Sequence, residues 1–222
     1  METNLLHALE NKTITEEELF QKIEQNTALL SEVLHGIYSP KAAVRYGCAK
    51  ALLDLSEKHP EELYPHMQVF IDLLRSKYRI LTWNALAIIA NLTKVDNDRK
   101  FDAIFNEYYT LLNNEYMVTV ANVVRNSAEI ALAKPYLSPK ITDELLKVEK
   151  IALSPHLTEE CRRVIIEQVI KSFDKFFEKI EAKEQVISFV KRQLNSSRTS
   201  LRRESQRFLN VPMFDLSTIR VR

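Results

Sequence analysis

Two glycines, Gly36 and Gly47, are all that 222 residues contain. Sheets with tight hairpins and phosphate-cradling loops draw on glycine for backbone conformations other residues resist. That scarcity argues against both, and neither a Walker nor a dinucleotide fingerprint occurs. Long apolar runs are also missing. The quietest stretch, 80–92, contains Thr82, Asn84 and Asn91 and is bounded by Arg79 and Lys94. It is too short to cross a bilayer and reads as a buried helix. The two cysteines lack metal-site spacing, which suits a reducing compartment. The opening segment METNLLHALENKTITEEE is acidic, with no basic stretch leading into an apolar core. No secretory signal is expected, and the protein is expected to be cytoplasmic.

What the chain does contain is helix-forming residues: Leu, Ala, Glu, Lys and Ile dominate. With 45% apolar and 27% charged residues it has the balance of a soluble globular protein. At this length folding buries roughly 70% of the extended chain's surface. The formal charge of +1 hides an asymmetry. Residues 191–222 carry eight Lys/Arg against Glu204 and Asp215, leaving the first 190 residues at −5.

A helical face recurs along the chain. Val44, Cys48, Ala51, Leu52 and Leu55 form one copy, and Leu81, Ala85, Ile88, Ile89 and Leu92 lie 37 residues on. Met117, Ala121, Val124, Arg125 and Ala128 make a third. Leu157, Cys161, Val164 and Ile165, then Leu201, Ser205, Phe208 and Leu209, continue the series. The small residues Cys48, Ala85, Ala121, Cys161 and Ser205 share a phase, which permits close helix approach. Between the copies, 27–34, 61–74, 99–112, 141–153 and 184–194 carry amphipathic patterns of their own. The unit is thus two antiparallel helices in about 37–39 residues. Ser39-Pro40, Ser138-Pro139 and Ser154-Pro155 read as N-cap serines with proline in the first helical position. Residues 163–180 show no breaker and predict one long helix, straight or bent. Thr15-Glu16-Glu17-Glu18 caps a helix through about Ile23. The expected organisation is a single helical-repeat domain, 1–210. Residues 1–25 form its N-terminal capping helices, 26–210 the repeats, and 211–222 an extended or disordered tail.

The pattern resembles the HEAT-repeat family over about residues 26–210. The resemblance rests on Val44-Arg45, Cys48, Ala51-Leu52 and Leu55, and on Leu201-Arg202, Ser205 and Phe208-Leu209. Leu81-Thr82 and Met117-Val118 keep the phase without the arginine. Ser39-Pro40 stands where the family often has an aspartate. The resemblance implies an all-α, right-handed α-α superhelix of about four to five helix pairs, armadillo-like in architecture. Such solenoids bind proteins, peptides, nucleic acids and small cofactors, so the fold alone names no partner.

The concave face of such a solenoid is lined by the second helices. Tyr46 and Lys50, then Trp83 and Ala87, then Asn122 and Asn126 would form a row along it. Tyr46 and Trp83 are candidate anchors for a protein or peptide, or rings packed on neighbouring loops. Arg125 interrupts the third apolar face and requires a partner if buried, either Glu129 or an anionic ligand. Arg45 is either a brace between repeats or part of a binding surface. Lys191, Arg192, Arg198, Arg202, Arg203 and Arg207 form a basic patch. It offers salt-sensitive contacts to nucleic-acid phosphates, or is a solvated end face, or meets the acidic N-terminal part of a second copy. Some helical alkylpurine DNA glycosylases resemble this arrangement, but Trp83 is the only tryptophan and its helix bears no aspartate. His59, Glu62 and His66 have suggestive spacing, yet His59 precedes Pro60 at a helix boundary, so no metal site is expected. Cys48 and Cys161 read as packing residues. A non-enzymatic scaffold or adaptor without cofactor is the expected function. Its expected partner is a protein or peptide, with nucleic acid as the alternative.

Overall fold

The computed structural model describes residues 5–210. Their regular elements are all helices, joined by turns, with one isolated bridge between Ser154 and Leu157. The chain divides into two compact units, 1–108 and 109–222.

In the first unit, α1 (Leu5–Glu10), α2 (Glu16–Gln25) and α3 (Leu30–Gly36) pack around the long α4 (Ala42–Lys58). The capping box expected at Thr15 is present. Its hydroxyl accepts from the Glu18 N–H at 3.1 Å, and the Glu18 carboxylate accepts from the Thr15 N–H at 2.8 Å. Both glycines mark close helix approaches. A Cβ on Gly47 of α4 would lie 2.7 Å from Leu9 of α1, and one on Gly36 would strike the Cys48 sulfur. The next outer segment is broken into α5 (Pro60–Leu63) and α6 (Met67–Leu73) by a 3₁₀ turn containing Pro65, which has no N–H to donate. The inner helix α7 (Arg79–Leu92) packs on α4 and α6. The long α8 (Lys100–Thr110) closes the unit. Its first turn is held by Asp96, which accepts from the N–H groups of Lys100 and Phe101 and from the Tyr64 hydroxyl. The Tyr108 hydroxyl donates to the Leu86 carbonyl at 3.0 Å, joining α8 to α7.

In the second unit, α9 (Met117–Ala133), α11 (Glu159–Phe176) and α13 (Thr199–Leu209) are the inner helices, with α11 packed on both others. The outer helices are α10 (Ser138–Leu146) and α12 (Lys183–Arg192). Phe173 meets Phe189 edge-on at 5.9 Å, and Phe177 meets Phe208 at 5.5 Å. Each such buried ring contributes on the order of 1.5–3 kcal/mol. The Ser172 hydroxyl donates to the Val124 carbonyl across the α9–α11 contact. The long helix expected over 163–180 is α11, followed by a 3₁₀ turn through Lys179.

The repeat is punctuated differently from the sequence expectation. Neither Ser39 nor Ser154 is an N-cap, and Ser138 begins its helix with its hydroxyl unpartnered. Instead, the side-chain oxygens of Ser39, Ser76, Asn114, Ser154 and Ser196 each accept from the N–H two residues on. These are turns in which a short polar side chain mimics backbone. In four of the five, the residue two positions on is an extended N-cap: Lys41, Tyr78, Tyr116 or Arg198. Before α11 the turn is longer, and Thr158 is the cap. This register moves the third copy by two residues. Val123, not Ala121, occupies the small-residue position, and Ala121 is half-exposed. Cys161 likewise lies at the start of α11, half-exposed, and Ile165 fills the core. The tail at 211–222 lies outside the described residues.

Candidate functional site

The two arginines that carry the resemblance do one job. Arg45 Nη1 donates to the carbonyls of Ser39 and Pro40 at 2.7 and 3.2 Å. Arg202 Nη1 donates to those of Ser196 and Ser197 at 2.6 and 3.1 Å. In each case the acceptors lie six and five residues upstream. The guanidinium ties the turn to the helix that follows, doing for the backbone what an aspartate in the turn would do for the side chain. Arg45 is 5% exposed and stacks on Tyr78, its Cζ 3.8 Å from the ring centroid and 4.7 Å from that of Tyr46. Arg45 is therefore a brace rather than part of an exposed binding surface.

Seven residues after the turn come Tyr46 and Trp83, both half-buried, on the packed pair α4 and α7. Eleven residues after it come Lys50, exposed, and Ala87, half-buried. Lys50 is ion-paired with Asp54 one turn on. The first unit thus presents two aromatic rings at equivalent register, followed by a compensated charge.

The same register in the second unit gives Ala121 and Arg125. Arg125 is exposed, so the expectation that a buried arginine requires Glu129 is corrected. Its Nη2 donates to Asn122 Oδ1 at 2.7 Å, and Asn122 is fixed by donating to the Val118 carbonyl at 2.8 Å. Glu129 pairs instead with Lys175 on α11 at 3.2 Å. The reason is geometric: α11 packs beside α9 and supplies a nearer cation. Asn126 is buried and its Nδ2 has no partner, so it sits within the packing rather than on the surface. Of the amide pair, Asn122 serves as a prop for Arg125.

Three arginines of the basic segment are ion-paired at the surface of the fold. Arg192 forms a forked contact with Glu149 at 2.6 and 3.2 Å. Arg198 pairs with Glu160 and Glu167, and Arg207 with Asp174 and Glu204. Arg202 is held by turn carbonyls, as above. Lys191 and Arg203 are exposed, with no acid partner among the described residues. Linear charge counting missed this because most of the neutralising acids lie some 30 to 45 residues upstream, in the 3₁₀ turn after α10 and along α11. Glu167 is the hub. Burial alone would raise its carboxyl, but hydrogen bonds from Lys171, Ser200 and Arg198 outweigh that and hold it below the ordinary value.

His59 bonds Glu24 at 3.0 Å and faces Glu61, so it does not join Glu62 and His66. Among the described residues no three His, Cys, Asp or Glu are grouped to hold a metal ion. Burial, then the Glu32 charge, push the Cys48 thiol up to about 12. Among the described residues no helix is long and apolar enough to cross a membrane.

No family model matches the chain, and no curated protein matches its sequence. Solved structures do. A designed armadillo repeat protein in complex with the peptide (KR)4 aligns at a TM-score of 0.56 and 15% identity, over 92% of this chain and 90% of that one. A second designed armadillo repeat protein aligns at 0.48 and 16% identity, over 86% and 85%. An engineered protein aligns at 0.45 and 16%, over 80% and 76%. The first of these, together with helix pairs packed in sequential order within each unit, establishes the architecture: the chain's fold is all-α and resembles the armadillo-repeat helical solenoid.

Proposed function

We propose that the protein is a non-enzymatic scaffold that recognises a polypeptide on the exposed face of its inner helices. The observation that carries this is the equivalent placement of Tyr46 and Trp83 on the packed helices α4 and α7. Half-buried aromatic side chains are the commonest energetic anchors of interfaces, because they supply large area at low entropic cost. In the second unit Arg125, held outward by Asn122, is the corresponding polar contact. The solved armadillo design holding a peptide supports the reading at the level of fold. Residues 1–108 carry twelve Lys/Arg against sixteen Asp/Glu, which favours a partner segment with basic residues.

Panning a random peptide library on the whole chain, then measuring selected peptides against the Tyr46→Ala/Trp83→Ala variant, tests this. Loss of two hot-spot rings is expected to weaken binding by at least about 30-fold, with the helical circular dichroism retained. Selected peptides that bind the folded double variant undiminished would place recognition elsewhere.

A further inference from the structure

A cavity of about 450 Å³ opens in the first unit between the turn before α4 and the turn before α7. Its buried floor is Ile37, Leu73 and Leu81. Tyr38, 60% exposed, and Lys77 stand at its mouth. Four observations concern charge and hydrogen bonding there. Arg45, behind the wall formed by Ser39, Pro40 and Tyr78, is a buried cation with no carboxylate partner among the described residues. It donates only through Nη1, to two carbonyls, and its Nε is buried with no partner. A buried guanidinium cannot lose its charge, so the missing counter-charge is an anomaly. Lys77 makes no salt bridge among the described residues; its Nζ lies 5.1 Å from the Tyr78 ring centroid. The Ser39 and Ser76 oxygens each accept a backbone N–H, and neither hydroxyl donates to a group among the described residues. Opposing these is one carboxylate, Asp72, which already accepts from Gln68 at 2.9 Å.

We propose that this cavity binds a carboxylate carried on an apolar body. The apolar part would fill the space over Ile37, Leu73 and Leu81. The carboxylate would meet Lys77 and the two serine hydroxyls, in the field of Arg45. Pockets of this size, apolar with a few convergent polar groups, are those that hold small ligands or the end of a chain. The free acid and a peptide's C-terminus present the same chemistry, and the experiment separates them.

The test is a titration of the whole ¹⁵N-labelled protein followed at the Ser39, Lys41, Ser76, Lys77 and Tyr78 amides. The probes are N-acetyl-leucine and its uncharged amide, with N-acetyl-lysine methylamide as a cationic control. Two octapeptides ending in leucine, one with a free and one with an amidated C-terminus, complete the set. N-acetyl-leucine is expected to move these amides, and its amide to bind several-fold more weakly. Lys77→Ala is expected to weaken N-acetyl-leucine by about two- to fivefold, and Asp72→Asn to tighten it by a similar factor. Added salt is expected to weaken it. The free-ended peptide binding more tightly than N-acetyl-leucine identifies a chain terminus as the source; equal or weaker binding identifies a small free acid. Either is consistent with the proposal. Equal binding of acid and amide, preference for the lysine derivative, or weakening by Asp72→Asn would overturn it. Both variants alter exposed side chains, so their fold is expected to be intact.

Discussion

Replacing Arg45 by methionine keeps most of the apolar stem and deletes the guanidinium. What is lost is two charge-assisted bonds to the Ser39 and Pro40 carbonyls and the stacking on Tyr78. Hydrogen bonds to charged groups contribute about 1.5–3 kcal/mol, and a desolvated cation–π contact about 2 kcal/mol. Against these stands relief of the unpartnered Nε, worth about 1–3 kcal/mol. The net expectation is a destabilisation of about 2–7 kcal/mol. Arg202→Met removes the same two carbonyl bonds from a half-exposed side chain, where water can replace them. About 1 kcal/mol is expected there. Repeat arrays need not unfold in one step, so the assay is hydrogen exchange resolved by segment, with α4 and α7 read separately from α13. Arg45→Met is expected to lose protection in the first unit alone, Arg202→Met weakly at α13. If Arg45→Met were neutral, or no worse than Arg202→Met, the brace would not be what holds the turn.

Gly36→Ala places a Cβ against the Cys48 sulfur and 2.9 Å from Leu6 Cδ2. Overpacking of about 1–3 kcal/mol is expected to exceed the helix-propensity gain of about 1 kcal/mol, and adding Cys48→Ala is expected to restore stability in urea melts. In native thiol labelling read by mass spectrometry, the half-exposed Cys161 is expected to react, while Cys48, buried with its thiol pushed up to about 12, stays unmodified. The Glu167 carboxyl is held below its ordinary value in the fold, so its contribution is fully present above the ordinary carboxylate range and is lost as pH falls through the depressed value. Protection of α11 and α13 against exchange is therefore expected to fall on acidification below about pH 4, and Glu167→Gln to show lower protection at pH 7 with a flatter profile.

The helix pairs were legible in the sequence because apolar phase is set by residues that must face a neighbour. Leu81, Ala85, Ile88 and Leu92 are buried as their spacing requires. The turns were less legible. Ser-Pro drew attention to Ser39, Ser138 and Ser154, whereas the repeating device is a lone Ser or Asn two residues before an extended cap, as at Ser76, Asn114 and Ser196. Recognising those positions would have corrected the register of α9 and shown Arg125 to be outside. Tyr46 and Trp83 emerge from either reading, because the first two copies were aligned correctly. The ion pairing of the basic segment was hidden for a different reason. Glu160, Glu167 and Asp174 pair with Arg198 and Arg207 through packing of α11 on α13, a contact that no local charge count contains. The side pocket beside Tyr78 was invisible because it forms between two turns 37 residues apart, with no carboxylate among the described residues beside Arg45.

Hydrogen-exchange mass spectrometry of the whole protein, with and without a peptide obtained by panning, tests the central claim most directly. Added protection concentrated in the segments of α4 and α7 that carry Tyr46 and Trp83, and abolished by Tyr46→Ala/Trp83→Ala, is the predicted result. Protection confined to the outer helices α5, α6 and α8, with those inner segments unchanged, would contradict it.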